Sequence, residues 1–102
     1  PLARIADLLS HNPARIMGMA HRKGAIRPGL DADPALGDLA GTTTVSNAAT
    51  VSSAGYSIYD GSTLQGRIVH TLSRGRFALR DGVLQDAAVG TGRYVHRRLA
   101  AG

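Results

Sequence analysis

The chain changes its hydrophobic period once, close to Gly24, and this change limits what it can fold into. Before Gly24 the apolar residues recur at the spacing of a helix, and from about residue 67 they alternate as in a strand. Because the helical part comes first, the order predicts an α+β fold in which two short helices precede antiparallel strands.

The helical part is predicted to hold two helices within residues 2–19. The first helix carries four apolar residues, Leu2, Ile5, Leu8 and Leu9. We expect it to end near Ser10, because Asn12 and Pro13 are typical of a new helix start, with Asn as the cap and Pro at the first helical position. After a tight turn and a short second helix, Gly18 is a typical C-terminal stop.

Turn signals divide the second part of the chain. Pro28-Gly29 predicts a turn after a short extended segment, Arg74-Gly75 predicts a turn between two strands, and Asp81-Gly82 predicts a hairpin. Strand alternation begins at Arg67. Residues 35–55 are rich in Thr, Ser, Ala and Gly, and predict a loop or weak edge strands.

Composition limits the core that 102 residues can build. Aromatic residues make up 4% of the chain and there are 13 glycines, so a free-standing fold would be marginal, whereas one packed against a larger body would not. The absence of cysteine excludes disulfides and thiolate metal sites. Since no apolar run reaches the length of a membrane span and no leader pattern opens the chain, we expect a cytoplasmic protein without a membrane partner.

The formal net charge is +5, from 12 basic and 7 acidic residues. A basic excess can indicate a nucleic-acid partner. Here the arginines are spread along the chain, and the two short clusters, residues 21–23 and 93–98, lack repeated stacking aromatic residues. Surface or interface arginines are therefore favoured and no nucleic-acid partner is expected, with a small basic nucleic-acid-binding protein kept as an alternative.

Several segments resemble the cyclic amidohydrolases, the family of dihydropyrimidinase, hydantoinase and allantoinase. Residues 10–18 are similar to its S-x-N-P-A-[KR]-x-x-G pattern, and residues 23–33 to its K-G-x-I-x-x-G-x-D-A-D pattern. Residues 56–61 and 92–94 resemble the C-terminus of hydantoinases. The sequence departs from the family at Pro34 and Gly37, which interrupt the apolar strand that usually follows D-A-D. Either this strand lies at the edge of the sheet, or the sequence has diverged here from the family pattern.

The resemblance implies an α+β fragment of a larger enzyme. Residues 1–22 would be the terminal helices of a (β/α)₈ barrel, residues 23–89 part of the small C-terminal β-sandwich domain, and residues 90–102 a basic C-terminal tail. Its partners would be the remainder of the barrel and further copies in a homo-oligomer, with a tetramer common in the family. A stand-alone, non-catalytic interaction module descended from such an enzyme is the second alternative.

The resemblance also implies a chemistry that this chain lacks. Cyclic amidohydrolases hold two zinc ions with histidines and a carboxylated lysine, and a metal-bound hydroxide attacks the ring amide. The strands that carry those ligands would precede Pro1. We therefore expect no catalytic, cofactor-binding or metal residue in this chain, no cofactor of its own, and no hydrolase activity when it is alone.

The candidate site residues have structural alternatives. Four histidines, His11, His21, His70 and His96, show neither H-x-H nor H-x-x-x-H spacing, so surface or interface positions are favoured over metal ligation. For His70, beside apolar neighbours on a predicted strand, we expect a half-buried ring with satisfied hydrogen bonds.

Asp31 and Asp33 could hold a cation, but short carboxylates in a turn commonly cap the backbone. Lys23 is rejected as the bridging lysine because no ligand histidines surround it. Gly90-x-Gly92 is a weak match to a phosphate cradle. Finally, Tyr56 and Tyr59 suit packing or subunit contacts.

Overall fold

A computed structural model of the chain describes residues 1–98. The helical part comprises α1 (Leu2–Ala6) and α2 (Asn12–Ile16). Four strands follow: β1 (Ala35–Thr44), β2 (Thr63–Ser73), β3 (Arg76–Arg80) and β4 (Val83–Leu84). They form one antiparallel sheet in the order β1-β2-β3-β4. The predicted α+β class with antiparallel strands is confirmed.

The predicted break between two helices is wrong. The chain stays helical through a π-helical segment, Asp7–His11, which joins α1 to α2. Asn12 has helical dihedrals, φ −66° and ψ −45°, and so does not cap a new helix. Pro13 lacks a backbone N–H, and its ring presses on the carbonyl of Leu9 in a regular α-helix. Since a π-helical turn is wider than an α-helical one, it gives the helix room for this proline without ending it.

Gly18 ends the helix as predicted. Its φ is +70°, and its N–H donates to the carbonyl of Arg15 over 3.1 Å, while the N–H of Met19 donates to the carbonyl of Ala14 over 2.7 Å. This pair of hydrogen bonds is the Schellman motif, which satisfies carbonyls left free at a helix end. The motif turns the chain out of the helix axis toward the sheet.

Both predicted hairpin turns are confirmed. Arg74 and Gly75, with φ of 48° and 78°, join β2 to β3, and Asp81 and Gly82, with φ of 49° and 77°, join β3 to β4. Positive φ at both central residues is the type I′ geometry that matches the twist of antiparallel strands. The Pro28-Gly29 turn is also present, closed by a hydrogen bond from the N–H of Leu30 to the carbonyl of Arg27.

Strand β1 is longer than the sequence predicts. It extends over ten residues at the edge of the sheet and pairs with β2. Its register shifts between Asp38 and Thr42, where the bulging residues are held by Asp38, whose carboxylate accepts the N–H of Ala40, and by Gln65, whose amide donates to the carbonyl of Leu39. The edge-strand interpretation of this segment therefore holds, and the loop interpretation is wrong for residues 35–44.

Within residues 1–98 the apolar side chains are poorly covered. Ala14, at 8% exposure, is the one buried hydrophobic residue there. It lies against Gly24, where a Cβ added to the glycine would approach the Ala14 Cβ to 2.5 Å. No helix in this range is both long and apolar enough to cross a membrane.

The predicted tail, residues 90–102, is described as far as Arg98, and its last four residues lie outside the described part. Residues 91–98 form no regular secondary structure. The N–H of Arg98 donates to the carbonyl of Gly18 over 2.7 Å, which brings the tail back to the end of α2. The division of the chain at residues 22 and 89 stays a prediction.

Candidate functional site

The densest group of charged side chains lies where the chain crosses from the helix to the sheet. We call it the ionic junction, and it consists of Arg22, Lys23, Asp31 and Asp33. Arg22 Nη2 lies 3.0 Å from Asp31 Oδ2, and Lys23 Nζ lies 2.8 Å from the same oxygen. Lys23 also donates to Asp33 Oδ2. One lysine therefore connects two carboxylates.

Backbone geometry brings these side chains together. The Pro28-Gly29 turn reverses the chain, and the N–H of Asp31 donates to the carbonyl of Arg22 over 2.9 Å. On the sheet side, Asp33 Oδ1 accepts the N–H of Arg74 over 2.7 Å, and the N–H of Gly75 donates to the carbonyl of Ala32 over 2.8 Å. The junction thus connects the turn that follows α2 to the β2–β3 hairpin.

The electrostatics of the junction hold Lys23, Asp31 and Asp33 in their charged forms. The hydrogen bond from Lys23 is the main reason that the pKa of Asp31 lies below its usual 3.8, and the contact with Arg22 adds to it. Desolvation raises the pKa of Asp33, but the hydrogen bonds from Lys23 and from the Arg74 N–H outweigh it, so this pKa is also lowered. Desolvation likewise opposes the charge on Lys23, and its two carboxylate partners raise the lysine pKa above 10.5 nonetheless.

The ionic junction is suited to holding the turn and the hairpin together, and not to transferring protons. A general acid or base works best when its pKa lies near the operating pH, and these pKa values have moved away from neutrality. Lys23 is a cation between two anions, so it does not present the neutral amine that carboxylation requires. Asp33 accepts a backbone N–H, but from Arg74 in the distant β2–β3 hairpin and not from its own turn as the sequence suggested. The pairing of both aspartates with Lys23 was missed by the sequence analysis. The signal for it was the Pro28-Gly29 turn, which lies between residues of opposite charge.

None of the four histidines makes a salt bridge or side-chain hydrogen bond to the junction within residues 1–98. His11 is in the π-helical segment and His21 in the turn after α2. His70 Nδ1 accepts the N–H of Asp81 over 3.1 Å, and its ring packs edge-on against Phe77, as expected for a half-buried ring with satisfied hydrogen bonds. Across residues 1–98, no group of three His, Cys, Asp or Glu side chains could hold a metal ion.

The tyrosines and glycines singled out in the sequence lie elsewhere on the surface. Tyr56 and Tyr59 are 65% and 61% exposed, in the segment between β1 and β2. Gly90 has φ +77°, and together with Gly92 it lines a depression beside the β2–β3 hairpin.

Comparisons with known proteins give relatives that are much longer than this chain. No family model matches it. D-phenylhydantoinases of several Escherichia coli strains, among them O1:K1 and O45:K1, are 37% identical over 97 residues. The match covers 95% of this chain and 21% of the relative, so the chain spans about a fifth of the length of these proteins.

Solved structures give the same result for the fold. The D-hydantoinase of Bacillus sp. AR9 superposes with a TM-score of 0.80 at 33% identity, over 99% of this chain and 22% of that one. For the dihydropyrimidinase of Brevibacillus agri NCHU1002 the TM-score is 0.84 at 32% identity, with the same coverage. The resemblance to cyclic amidohydrolases that the sequence motifs indicate is therefore confirmed.

Proposed function

We propose that this chain, a member of the hydantoinase and dihydropyrimidinase family, is the C-terminal, non-catalytic portion of a cyclic amidohydrolase. The parent enzyme would hydrolyse ring amide bonds of hydantoins or dihydropyrimidines. In this proposal, residues 1–22 are the end of its barrel, and the strands complete its small β-domain. The cytoplasm is the proposed location, which cell fractionation of the parent enzyme would test.

The observation that carries this proposal is the uncovered apolar face of the helical part. Four apolar side chains that the sequence predicts on one helix are all exposed: Leu2, Ile5, Leu8 and Leu9. Burial of apolar surface is the main favourable term in folding. Because Ala14 is the one buried hydrophobic residue among those described, this chain gains little free energy from apolar burial. The remainder of a relative, about four times the length of this chain, would supply a surface that covers the helix.

The edge of the sheet gives a second argument for a larger β-domain. Strand β1 pairs with β2 on one side, and within residues 1–98 no strand pairs with its other side. A ten-residue edge presents a row of backbone donors and acceptors, which is a template for another strand. We propose that a strand from the rest of the parent enzyme pairs there.

The two zinc ions and the carboxylated lysine of the family belong to the rest of the parent in this proposal. The residues described here do not fit such a centre, because Lys23 is held between Asp31 and Asp33 and no three ligand side chains converge. Tyr56 and Tyr59 are the proposed contacts between subunits of a homo-oligomer, with a tetramer as the expected assembly.

The proposal is tested by comparing the isolated chain with the protein expressed from the complete coding frame. We expect the frame upstream of Pro1 to encode a barrel with an H-x-H motif. The complete protein should hydrolyse hydantoin or dihydrouracil, and the isolated 102 residues should not, even with added zinc.

Two outcomes would contradict the proposal. Hydrolysis by the isolated chain above a chelated control would show that it carries its own catalytic residues. Cooperative thermal unfolding of the isolated chain, encoded by a frame that begins at residue 1, would favour the stand-alone interaction module instead.

A further inference from the structure

Three arginines surround one depression in the surface. Arg74 and Arg76 come from the β2–β3 hairpin, and Arg93 comes from the tail, while Gly90 to Gly92 complete the wall. The depression has a volume of about 460 Å³, within the range of about 300–1,000 Å³ typical of small-molecule sites. We propose that this arginine depression binds a small phosphate-bearing anion.

The charge of the depression favours an anion because no acidic side chain is among the described residues that line it. The carboxylate that lies against the hairpin backbone is Asp33, whose Oδ1 accepts the Arg74 N–H over 2.7 Å. Its other oxygen, Oδ2, accepts a hydrogen bond from Lys23, so a cation outside the depression already balances its charge. The three guanidinium groups therefore keep an excess of positive charge.

Arg74 is held in place before any ligand arrives. Its Nη2 donates to the carbonyl of Thr91, which fixes the guanidinium between the hairpin and the tail. Its φ of 48° lies in the left-handed region, which favours Gly, Asn and Asp in a type I′ turn. An arginine here costs conformational energy that those residues avoid, and a fixed guanidinium loses less freedom when it binds.

The chemistry of the lining favours phosphate over a single carboxylate. A carboxylate is satisfied by one guanidinium fork, whereas a phosphate group offers three or more oxygens to several forks. Gly90 and Gly92 carry no side chains, so a ligand could approach the backbone of the tail. The proposal does not rest on the amidohydrolase assignment, because the site lies within the described residues.

The test uses protein expressed from the complete coding frame that contains this chain, whatever its length. Inorganic phosphate is titrated at low ionic strength by calorimetry, and ³¹P line broadening reports on the same binding. We expect saturable binding that Arg76→Gln and Arg93→Gln each weaken by about tenfold, the loss typical of one charge-assisted contact. Arg97→Gln, an exposed arginine of the same tail outside the depression, should change the affinity by less than about twofold.

Competition experiments identify the ligand class. A phosphate monoester, glycerol 3-phosphate, should compete with inorganic phosphate, and acetate at the same concentration should not. The proposal is overturned by absent or non-saturable phosphate binding, by equal effects of all three substitutions, by equal competition from acetate, or by binding of an oligonucleotide alone. A coding frame limited to 102 residues would refute the proposal that this chain is part of a larger amidohydrolase. The phosphate titration would still test the arginine depression in that case.

Discussion

At the scale of single residues, Gly24 lies where the chain leaves the helix for the sheet. Its φ is +95°, and a Cβ there would meet the Ala14 Cβ at 2.5 Å and the Ser10 carbonyl at 3.1 Å. Gly24→Ala therefore combines left-handed strain with a collision closer than an added Cβ would meet at any other described glycine. We expect a loss of about 3 kcal/mol in the free energy of unfolding, measured by urea denaturation of the complete protein.

Gly29 provides the matched control for this substitution. Its φ is +91°, but a Cβ there would meet no atom within 4 Å. Gly29→Ala should therefore cost only the conformational term, about 1 kcal/mol. Equal losses at the two positions would show that the contact between Gly24 and Ala14 contributes nothing.

The ionic junction makes a prediction about pH. The pKa values of Asp31 and Asp33 are lowered in the folded chain, so their contribution to stability is present above pH 3.8 and is lost as the pH falls through the lowered values. The pKa of Lys23 is raised, so its contribution is present below pH 10.5 and is lost as the pH rises above the folded value. The junction should thus be insensitive to pH between about 4 and 10.

Lys23→Met removes the cation that both aspartates share. We expect a loss of about 1–2 kcal/mol in unfolding free energy at pH 7, and a shallower decline of stability as the pH falls below about 4, since the two carboxyl groups then titrate closer to their usual pKa. Urea titrations across this range measure both effects. The control is Arg27→Met, which removes a cation that makes no salt bridge within residues 1–98. It should leave the decline of unfolding free energy at acid pH unchanged. If both variants changed that decline equally, the junction would not be its cause.

At the scale of elements, the sequence predicted local structure well and long-range pairing poorly. The hairpin turns at Arg74-Gly75 and Asp81-Gly82 follow from residues that are adjacent in the chain, and so does the stop at Gly18. Strand β1 depends on pairing with β2, which lies about 30 residues further on. Apart from its three threonines, the strand is built largely of Gly, Ala and Asp, which have weak strand propensity, so pairing with β2 is needed to make residues 35–44 one strand.

The helix shows a related limit at the same scale. Asn-Pro is typical of a helix start, and nothing local distinguishes that role from a proline inside a continuing helix. The π-helical segment Asp7–His11 resolves the clash before Pro13 and keeps the chain helical. For the ionic junction, the sequence analysis singled out Lys23, Asp31 and Asp33, but neither the role of Arg22 nor the pairing. Arg22 and Asp31 meet only after the Pro28-Gly29 turn has formed.

At the scale of the whole molecule, Leu9 distinguishes a helix covered by the parent enzyme from one exposed to water. Leu9 is 74% exposed within the described chain. If the rest of the enzyme covers this face, Leu9→Ala creates a cavity in the complete protein and should lower its unfolding free energy by about 2–4 kcal/mol. In the isolated chain the side chain is in water before and after the substitution, so the helix content measured by circular dichroism should barely change.

Arg4→Ala, an exposed basic position on the same helix, is the control and should alter the stability of the complete protein by less than about 0.5 kcal/mol. The comparison is decisive because the same substitution is measured in two settings that differ only in the covering body. A complete protein that tolerates Leu9→Ala as well as Arg4→Ala would mean that this apolar face stays in water, and the proposed packing of the helical part against the rest of a barrel would then be wrong.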